Sequence, residues 1–574
     1  MKFIVRDAPP RAVWTLTQAG LHPLLAQLYA ARGVTDPRDI DPGLHHLPAP
    51  DLLLGAQAAA QLLEQAIVDD RALCIVADYD CDGATACAVA LRGLRLLGAR
   101  RVQFLVPDRV QDGYGLTPAI AQRVKALGAD VLITVDNGIA SFEGVAAARA
   151  LGLQVLVTDH HLPAQRDGAV QLPAADALVN PNQPGCAFPS KALAGVGVMF
   201  YVLLALRARL RAHHGWSPAT QPRLDSLLPL VALGTVADVV RLDALNRRLV
   251  AQGLKRIRAG QACPGIQALF SVAGRDVRNA STFDLGFALG PRINAAGRLA
   301  DMTLGIACLS TDDAEQALAL AQQLDAINRE RRELEGQMRE QALARADTLL
   351  SDTAEPPAAL CLSDTDFHEG VVGIVAARLK DRFHRPTFVF APSGADGHAD
   401  ELKGSGRSIP GFHLRDALDL VAKRAPGVLL RFGGHAMAAG CTVRADQLPR
   451  FAQTLGEVAA ELLDATTLQR KLETDGALSP EYCRADVVEL LQREVWGQGF
   501  AAPLFSQELG VLSQRLVGER HLQLKLHYAG QTVDGIWFGR TDPLPERARL
   551  AFRLDVDTWR GQSQVRFVVE AVQA

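Results

Sequence analysis

Three acidic motifs each follow a short apolar run. They are Asp78-Tyr79-Asp80-Cys81-Asp82-Gly83 after residues 72–77, Asp136-Asn137-Gly138 after 131–135, and Asp159-His160-His161 after 155–157. Apolar runs of this kind, alternating with helical patterns, read as strands of a parallel sheet. Such a sheet binds its ligands beyond the carboxyl ends of its strands, so the motifs should converge on one crevice. Carboxylates crowded there cannot all ionise unless cations sit among them. Oxygen donors mixed with imidazole suit Mn2+ or Mg2+ rather than a thiolate-rich zinc site. Two ions about 3.5–4 Å apart recur wherever phosphorus is attacked. Read singly, each motif is bland: Asp-x-Asp caps helices, Asn-Gly makes turns, and a histidine pair is commonly core or surface. Their joint occurrence at three consecutive strand ends argues for metal chemistry. Asp238, closing an apolar helical stretch that starts at Leu227, is the candidate for a remaining ligand.

The elements that must position these groups follow from the patterning. Residues 1–50 are proline-rich with short helical patterns, an N-terminal flap. Helix-strand alternation begins near residue 56, and a helical region follows from about 191 to 275. Residues 312–350 read as one long connector helix, with opposite charges at helical spacing and a stripe of Leu320, Leu324, Ile327, Leu334 and Met338. Pro356-Pro357 then ends it. A second α/β region spans 351–460. From 461 onward the chain ends in alternating strands at 522–528, 532–538, 550–557 and 564–569, with turns at Ala529-Gly530 and Arg560-Gly561. The expectation is an α/β protein: a parallel-sheet domain over 51–311, the connector, a smaller α/β domain, and a small β-barrel.

Composition excludes several classes. Of 574 residues, 48% are hydrophobic and 21% charged, which is globular. The nine cysteines form no CxxC pair, arguing against a zinc ribbon, an iron–sulfur cluster or a disulfide framework. A net charge of −3 excludes a histone-like protein but not a basic track confined to a cleft. The apolar run within 191–207 is too short to span a bilayer, and MKFIVRDAPP lacks a signal-peptide core. A cytoplasmic enzyme without membrane contact, and with nothing to suggest an obligate dimer, is expected.

The motifs ADYDCDGAT, DNG, DHH and GTVADVV resemble the DHH phosphoesterase superfamily in order and spacing. PDRVQDGYGL (107–116), GPRINAAGR (290–298), EGVVGIVAARL (369–379), GSGRS (404–408) and FGGHAMAAG (432–440) narrow the resemblance to the RecJ family of single-strand-specific 5′-to-3′ exonucleases. It covers the chain from about residue 50, and the last hundred residues match by architecture only. The resemblance implies a DHH domain, a DHHA1 domain and an OB-like barrel that binds nucleic acid. It makes Asp80, Asp82, Asp136, His160 and Asp238 ligands of two Mn2+ or Mg2+ ions, with Asp82 and Asp136 touching both. Asp78 belongs to the same motif as ligand or orienting group. Asp159 positions, and His161 faces the scissile phosphate.

Further residues are expected to touch DNA. Arg292, Asn294 and Arg298 would line a channel for successive phosphates. Arg109 and Tyr114 would grip the backbone and stack on a base. Ser405, Arg407 and Ser408 would form a phosphate nest that holds a 5′-terminal phosphate, with His435 in the same wall. Trp537, Phe538 and Trp559 are either barrel core or base platforms. The implied substrate is single-stranded DNA, cut to 5′-mononucleotides in repair and recombination. Single-strand binding protein and a RecQ-type helicase are implied partners. The alternative is a DHH-type phosphodiesterase on short oligonucleotides or small nucleotides, which needs neither connector nor barrel. A scaffold that lost its metals is disfavoured, because every acidic motif is intact.

Overall fold

The computed structural model describes the chain apart from residues 109–111, 113, 167–168, 218, 352–356, 395–397, 399, 465–466, 560–561 and 574. Arg109, the Arg560-Gly561 turn and the side chain of Trp559 therefore lie outside the described residues. The chain forms two compact units. One comprises residues 3–297, 301–325 and 472–574; the other comprises 1–2, 298–300 and 326–471.

In the larger unit, five parallel strands lie in the order Val102–Leu105, Leu73–Ala77, Val131–Val135, Gln154–Thr158, Ala177–Val179. The second and third are buried along their whole length, as a sheet covered on both faces requires. Alternate residues serve opposite layers. Leu73, Ile75 and Ala77 pack with the helices Ala56–Val68, Cys81–Leu96 and Gly195–His214, while Cys74 and Val76 pack with Pro118–Ala126 and Phe142–Ala150. The three strands whose ends carry the acids are neighbours, so their following turns share one rim.

The first fifty residues are not a flap. Leu16, Leu24, Leu25 and Leu28 are buried in the main core, on helices that start at Pro10 and Pro23, where proline's fixed φ suits a first turn. Arg32 makes a bidentate pair with Asp475 at 2.9 and 3.0 Å. The Tyr29 hydroxyl donates to Glu494 Oε2 at 2.5 Å, and its ring meets Trp496 and Phe500 edge-on. Arg247 lies 4.2 Å from the Phe500 centroid, and the Leu242 amide donates to the Gln498 carbonyl. These contacts tie the C-terminal region to the parallel-sheet region within one unit.

That region ends in a closed barrel, ordered Phe505–Val517, His521–Tyr528, Gln531–Phe538, Gln562–Val572, Arg547–Trp559. The first strand is absent from the sequence expectation. A register shift between Val511 and Ser513 breaks its alternation, and period two is the signal by which strands are read. The Ala529-Gly530 turn is present, with both residues at positive φ. Trp537 is partly buried under Arg540, while Phe538 is exposed.

In the smaller unit a sheet runs Leu429–Gly434, Ala438–Arg444, Glu401–Arg407, Thr387–Pro392, Leu360–Ser363, antiparallel except for the last pair. The helix Ala314–Ser351 begins in the larger unit and continues into this one. The expected stripe is only partly its inner face: Leu324 and Met338 are buried, whereas Leu320, Ile327 and Leu334 are half-buried. Asn328, Arg331 and Glu335 share that buried face. Arg331 pairs with Glu335 and donates to Asn328 Oδ1, which is how polar groups are kept in an interior.

Candidate metal centre

Each acid is placed by local backbone chemistry. The strand Leu73–Ala77 runs into Asp78, whose Oδ1 accepts the Tyr79 amide at 2.7 Å. Asp80 caps the helix Cys81–Leu96, accepting the Gly83 amide at 2.9 Å. The bland reading of that aspartate as a cap is thus true as well, since one oxygen caps and the carboxylate keeps another. Asp82, in the first helical turn, accepts the amides of Gly195 at 2.6 Å and Val196 at 3.0 Å. Those are the first amides of the helix Gly195–His214, donors with no partner in their own helix. Asp136 sits at φ 62°, a left-handed conformation tolerated by aspartate more than by most residues. Asp238 ends the helix Leu228–Ala237.

Asp159 is the hub of the third motif. Its Oδ1 accepts the amides of His160 and His161 and faces His161 Nδ1 at 2.7 Å, while Oδ2 accepts the Ile139 amide. His160 Nε2 lies 3.2 Å from Asp136 Oδ1 and 3.5 Å from Asp238 Oδ2. Around these strand ends three sets have donor atoms within 4.8 Å of one another: Asp82, His160 and Asp238; Asp136, His160 and His161; and Asp78, Asp80 and Asp136. The expected donors are therefore brought together.

The electrostatics are those of a site built for cations. Burial, then Asp80, pushes the Asp82 carboxyl up to about 7, against the pull of the Val196 and Gly195 amides. Burial and the neighbouring acids raise Asp136, Asp238 and Asp78 well above the carboxylate range. Asp136 Oδ1 and Asp238 Oδ2 are buried and accept no hydrogen bond, a costly arrangement unless another positive partner arrives. Asp159 behaves oppositely. Burial would raise it, but the hydrogen bond and charge of His161 hold it below the ordinary value. Burial would lower His161, yet the hydrogen bond and charge of Asp159 lift it to about 9.

Several supports went unread in the sequence. Asn180 and Asn182 donate to the carbonyls of His161 and His160 at 2.9 and 2.6 Å. They follow the strand Ala177–Val179, a fourth strand end on the same rim, and that position was the available signal. Gly195 is needed because a Cβ there would lie 2.5 Å from Asp136 Oδ1.

The other expected contacts divide. Tyr114 is at the rim, its hydroxyl 3.3 Å from the Asp136 carbonyl and 3.4 Å from His161 Nδ1. Asn294 Oδ1 accepts the Cys81 amide at 2.8 Å, which makes it a support of the acidic motif. Arg292 is buried and held by Asp325 and the Ala288 carbonyl, so it does not line a channel as expected. Arg298 belongs to the smaller unit and donates to the Gly370 carbonyl.

The nest reading of residues 404–408 also needs correction. Residues 404–407 lie on a strand paired along both edges, so its amides serve the sheet. Gly404 and Gly406 are small because Phe390 and Phe388 cross them. Ser408 is buried and donates to the Phe412 carbonyl. Ser405 and Arg407 differ: they meet each other, Nη1 to Oγ at 3.1 Å, beside Gly373 at the start of the helix Val372–Phe383, where a Cβ would lie 2.9 Å from both side chains. His435 is exposed in the turn after Leu429–Gly434.

Comparison with known proteins identifies the domains. Residues 72–235 match the model of the DHH family N-terminal domain, 357–461 the DHHA1 domain and 474–571 the RecJ OB domain. The chain is 48% identical over 558 residues to the single-stranded-DNA-specific exonuclease RecJ of Dickeya dadantii, covering 95% of each, and 46% identical over 565 residues to that of Escherichia coli, covering 96% of each. The crystal structure of RecJ from Thermus thermophilus with Mn2+ superposes with a TM-score of 0.81 at 31% identity, over 100% of this chain and 79% of that one. The structure of the same protein with Mg2+ gives 0.76.

Proposed function

The chain belongs to the RecJ family of single-stranded-DNA-specific exonucleases, and from that membership and the geometry above we propose that it hydrolyses single-stranded DNA from the 5′ end, releasing 5′-mononucleotides. The observation that carries this reading is the meeting of Asp82, Asp136 and His160, which follow adjacent parallel strands, with Asp238 from a helix end, Asp136 and Asp238 each keeping a buried oxygen that accepts no hydrogen bond. These donors fit divalent Mn2+ or Mg2+, the ions named for the Thermus protein.

Asp80, Asp82, Asp136, His160 and Asp238 would hold the ions, with Asp78 in support. When bound, such ions lower the pKa of water and offset charge on phosphate oxygens. The protein supplies the rest. Amides at the start of Gly195–His214 fix the Asp82 carboxylate. Asp159 occupies His161 Nδ1, fixing the ring and leaving Nε2 to face a phosphate oxygen as a donor. Tyr114 orders the rim beside it. Arg109 is proposed with it on the strength of the motif alone.

Arg407 and Ser405, facing the start of the helix Val372–Phe383, are proposed to hold a 5′-terminal phosphate. Helix amides, a hydroxyl and a guanidinium suit such a group. Single-strand binding protein and a RecQ-type helicase remain proposed partners from the family resemblance. Among the described residues no helix is long and apolar enough to cross a membrane.

The test is manganese binding and digestion of a single-stranded oligonucleotide by wild type and Asp82→Ala. The reading expects both to be lost in the variant. Retention of digestion would overturn it. Cleavage confined to dinucleotides would favour the small-substrate phosphodiesterase, a reading that leaves the match to the RecJ OB domain unexplained.

A further inference from the structure

The helical segment leading into residues 290–298 is interrupted by a π-turn, Asp284–Leu289. Leu285, Ala288 and Leu289 are buried, while Phe283 and Phe287 point outward, 55% and 66% exposed. Their rings stack, with centroids 4.9 Å apart and planes 28° apart. The Arg275 guanidinium lies 5.9 Å from the Phe283 centroid. One exposed phenylalanine needs no explanation. Two stacked on a π-turn, an irregularity that recurs at functional sites, do.

Their position supplies the explanation. The turn packs on the end of the helix that delivers Asp238: a Cβ on Gly286 would lie 3.3 Å from Val236, and one on Gly290 would lie 3.2 Å from Ala237. Directly after Asp238, Val239 is 61% exposed at φ 62°, a conformation that β-branched residues avoid. Strain of that kind collects around functional sites. Seven residues beyond Phe287, Asn294 holds the Cys81 amide of the acidic motif. The two rings thus stand on a turn packed against the end of the helix that carries Asp238.

We propose that Phe283 and Phe287 form a platform on which an unpaired nucleobase stacks, on the strand whose phosphate lies at the metal centre. This inference rests on the exonuclease reading above. Every base has a π-face, so the platform tolerates any sequence. A paired base keeps both faces covered by its neighbours, so the same platform favours single strands over duplex. Arg275, paired with Asp284 at 3.6 Å, lies at its border.

The test is steady-state digestion of a single-stranded 5′-phosphorylated oligonucleotide, intact or carrying an abasic nucleotide at one position at a time near the 5′ end. The proteins are wild type, Phe283→Ala/Phe287→Ala and Phe287→Trp. Both rings are exposed, so the core is left intact. For wild type, one abasic position should raise KM. In the double variant, KM for the intact strand should rise roughly 5- to 150-fold, the range of one lost base stack. Its kcat should stay nearly constant, and the abasic penalty should vanish. Phe287→Trp should retain both the low KM and the penalty. Unchanged KM in the double variant overturns the platform, as does a loss of equal size on intact and abasic strands. A wild-type protein that cuts no strand overturns the exonuclease reading and the platform with it.

Discussion

Gly195→Ala tests whether the metal centre depends on close approach of the helix Gly195–His214. The added methyl would lie 2.5 Å from Asp136 Oδ1 and 2.7 Å from Asp136 Cβ, about 0.9 Å inside the 3.4 Å at which ordinary contact begins. Asp136 has no room to yield, being buried and held at φ 62°. The clash is therefore relieved by moving the Asp136 carboxylate or the start of the helix, and the helix start carries both amides that hold Asp82. A displacement approaching 1 Å among reacting groups costs about 10²-fold in rate. Overpacking should cost about 1–3 kcal/mol in stability. Gly197→Ala is the control, since its methyl would meet Leu193 Cδ1 at 2.5 Å, away from the acids. The assay is kcat on single-stranded DNA, with manganese affinity by calorimetry and melting temperature for both variants. Comparable melting losses are expected, with the rate and metal affinity falling in Gly195→Ala alone. If Gly195→Ala kept wild-type metal affinity and a comparable rate, the positioning argument would be refuted.

Three further outcomes follow from the same geometry. Arg32→Ala leaves the buried Asp475 with only Arg6 at 3.4 Å and the Leu504 amide as partners among the described residues, so a loss of about 1–3 kcal/mol is expected in denaturant unfolding; no measurable loss would show that the N-terminal helices do not brace the C-terminal region. The Asp82 carboxyl, raised to about 7 by burial and Asp80, keeps its proton in the folded metal-free state well above the unfolded pKa. Metal-free protein should therefore lose stability as the pH rises through about 7, while manganese affinity should rise over that window with proton release, read by melting with chelator and by calorimetry in two buffers; pH-independent affinity would contradict it. Arg407→Ala should reduce the preference for 5′-phosphorylated over 5′-hydroxyl strands about 10-fold or more, measured as a ratio of kcat/KM values; an unchanged ratio would remove Arg407 from the end-binding pocket.

The parallel sheet was legible because its strands are buried on both faces and leave uninterrupted apolar runs, and because the acids stand directly after them. Spacing could not show what each acid leans on. Gly195 and Asn294 act across long stretches of chain, and no local pattern links them to the acidic motif; Asn180 and Asn182 had only their place after a short fourth strand to mark them. Residues 404–408 misled for the same reason. Gly-Ser-Gly-Arg-Ser resembles a loop, yet pairing on both edges makes its first four residues a strand, and its glycines answer to Phe388 and Phe390. Arg292 was read as a cleft cation, because the carboxylate that claims it, Asp325, lies on another helix. The N-terminal segment read as a flap, because the residues it packs against are more than four hundred positions away.

The most direct measurement is digestion of single-stranded oligonucleotides labelled at either end, with manganese or magnesium, beside the matching duplex. Release of the 5′ label as mononucleotide from the first moments, with the 3′ label retained on shortening strands and the duplex spared, is the predicted result. Early release of the 3′ label, internal cutting, or equal digestion of the duplex would contradict it.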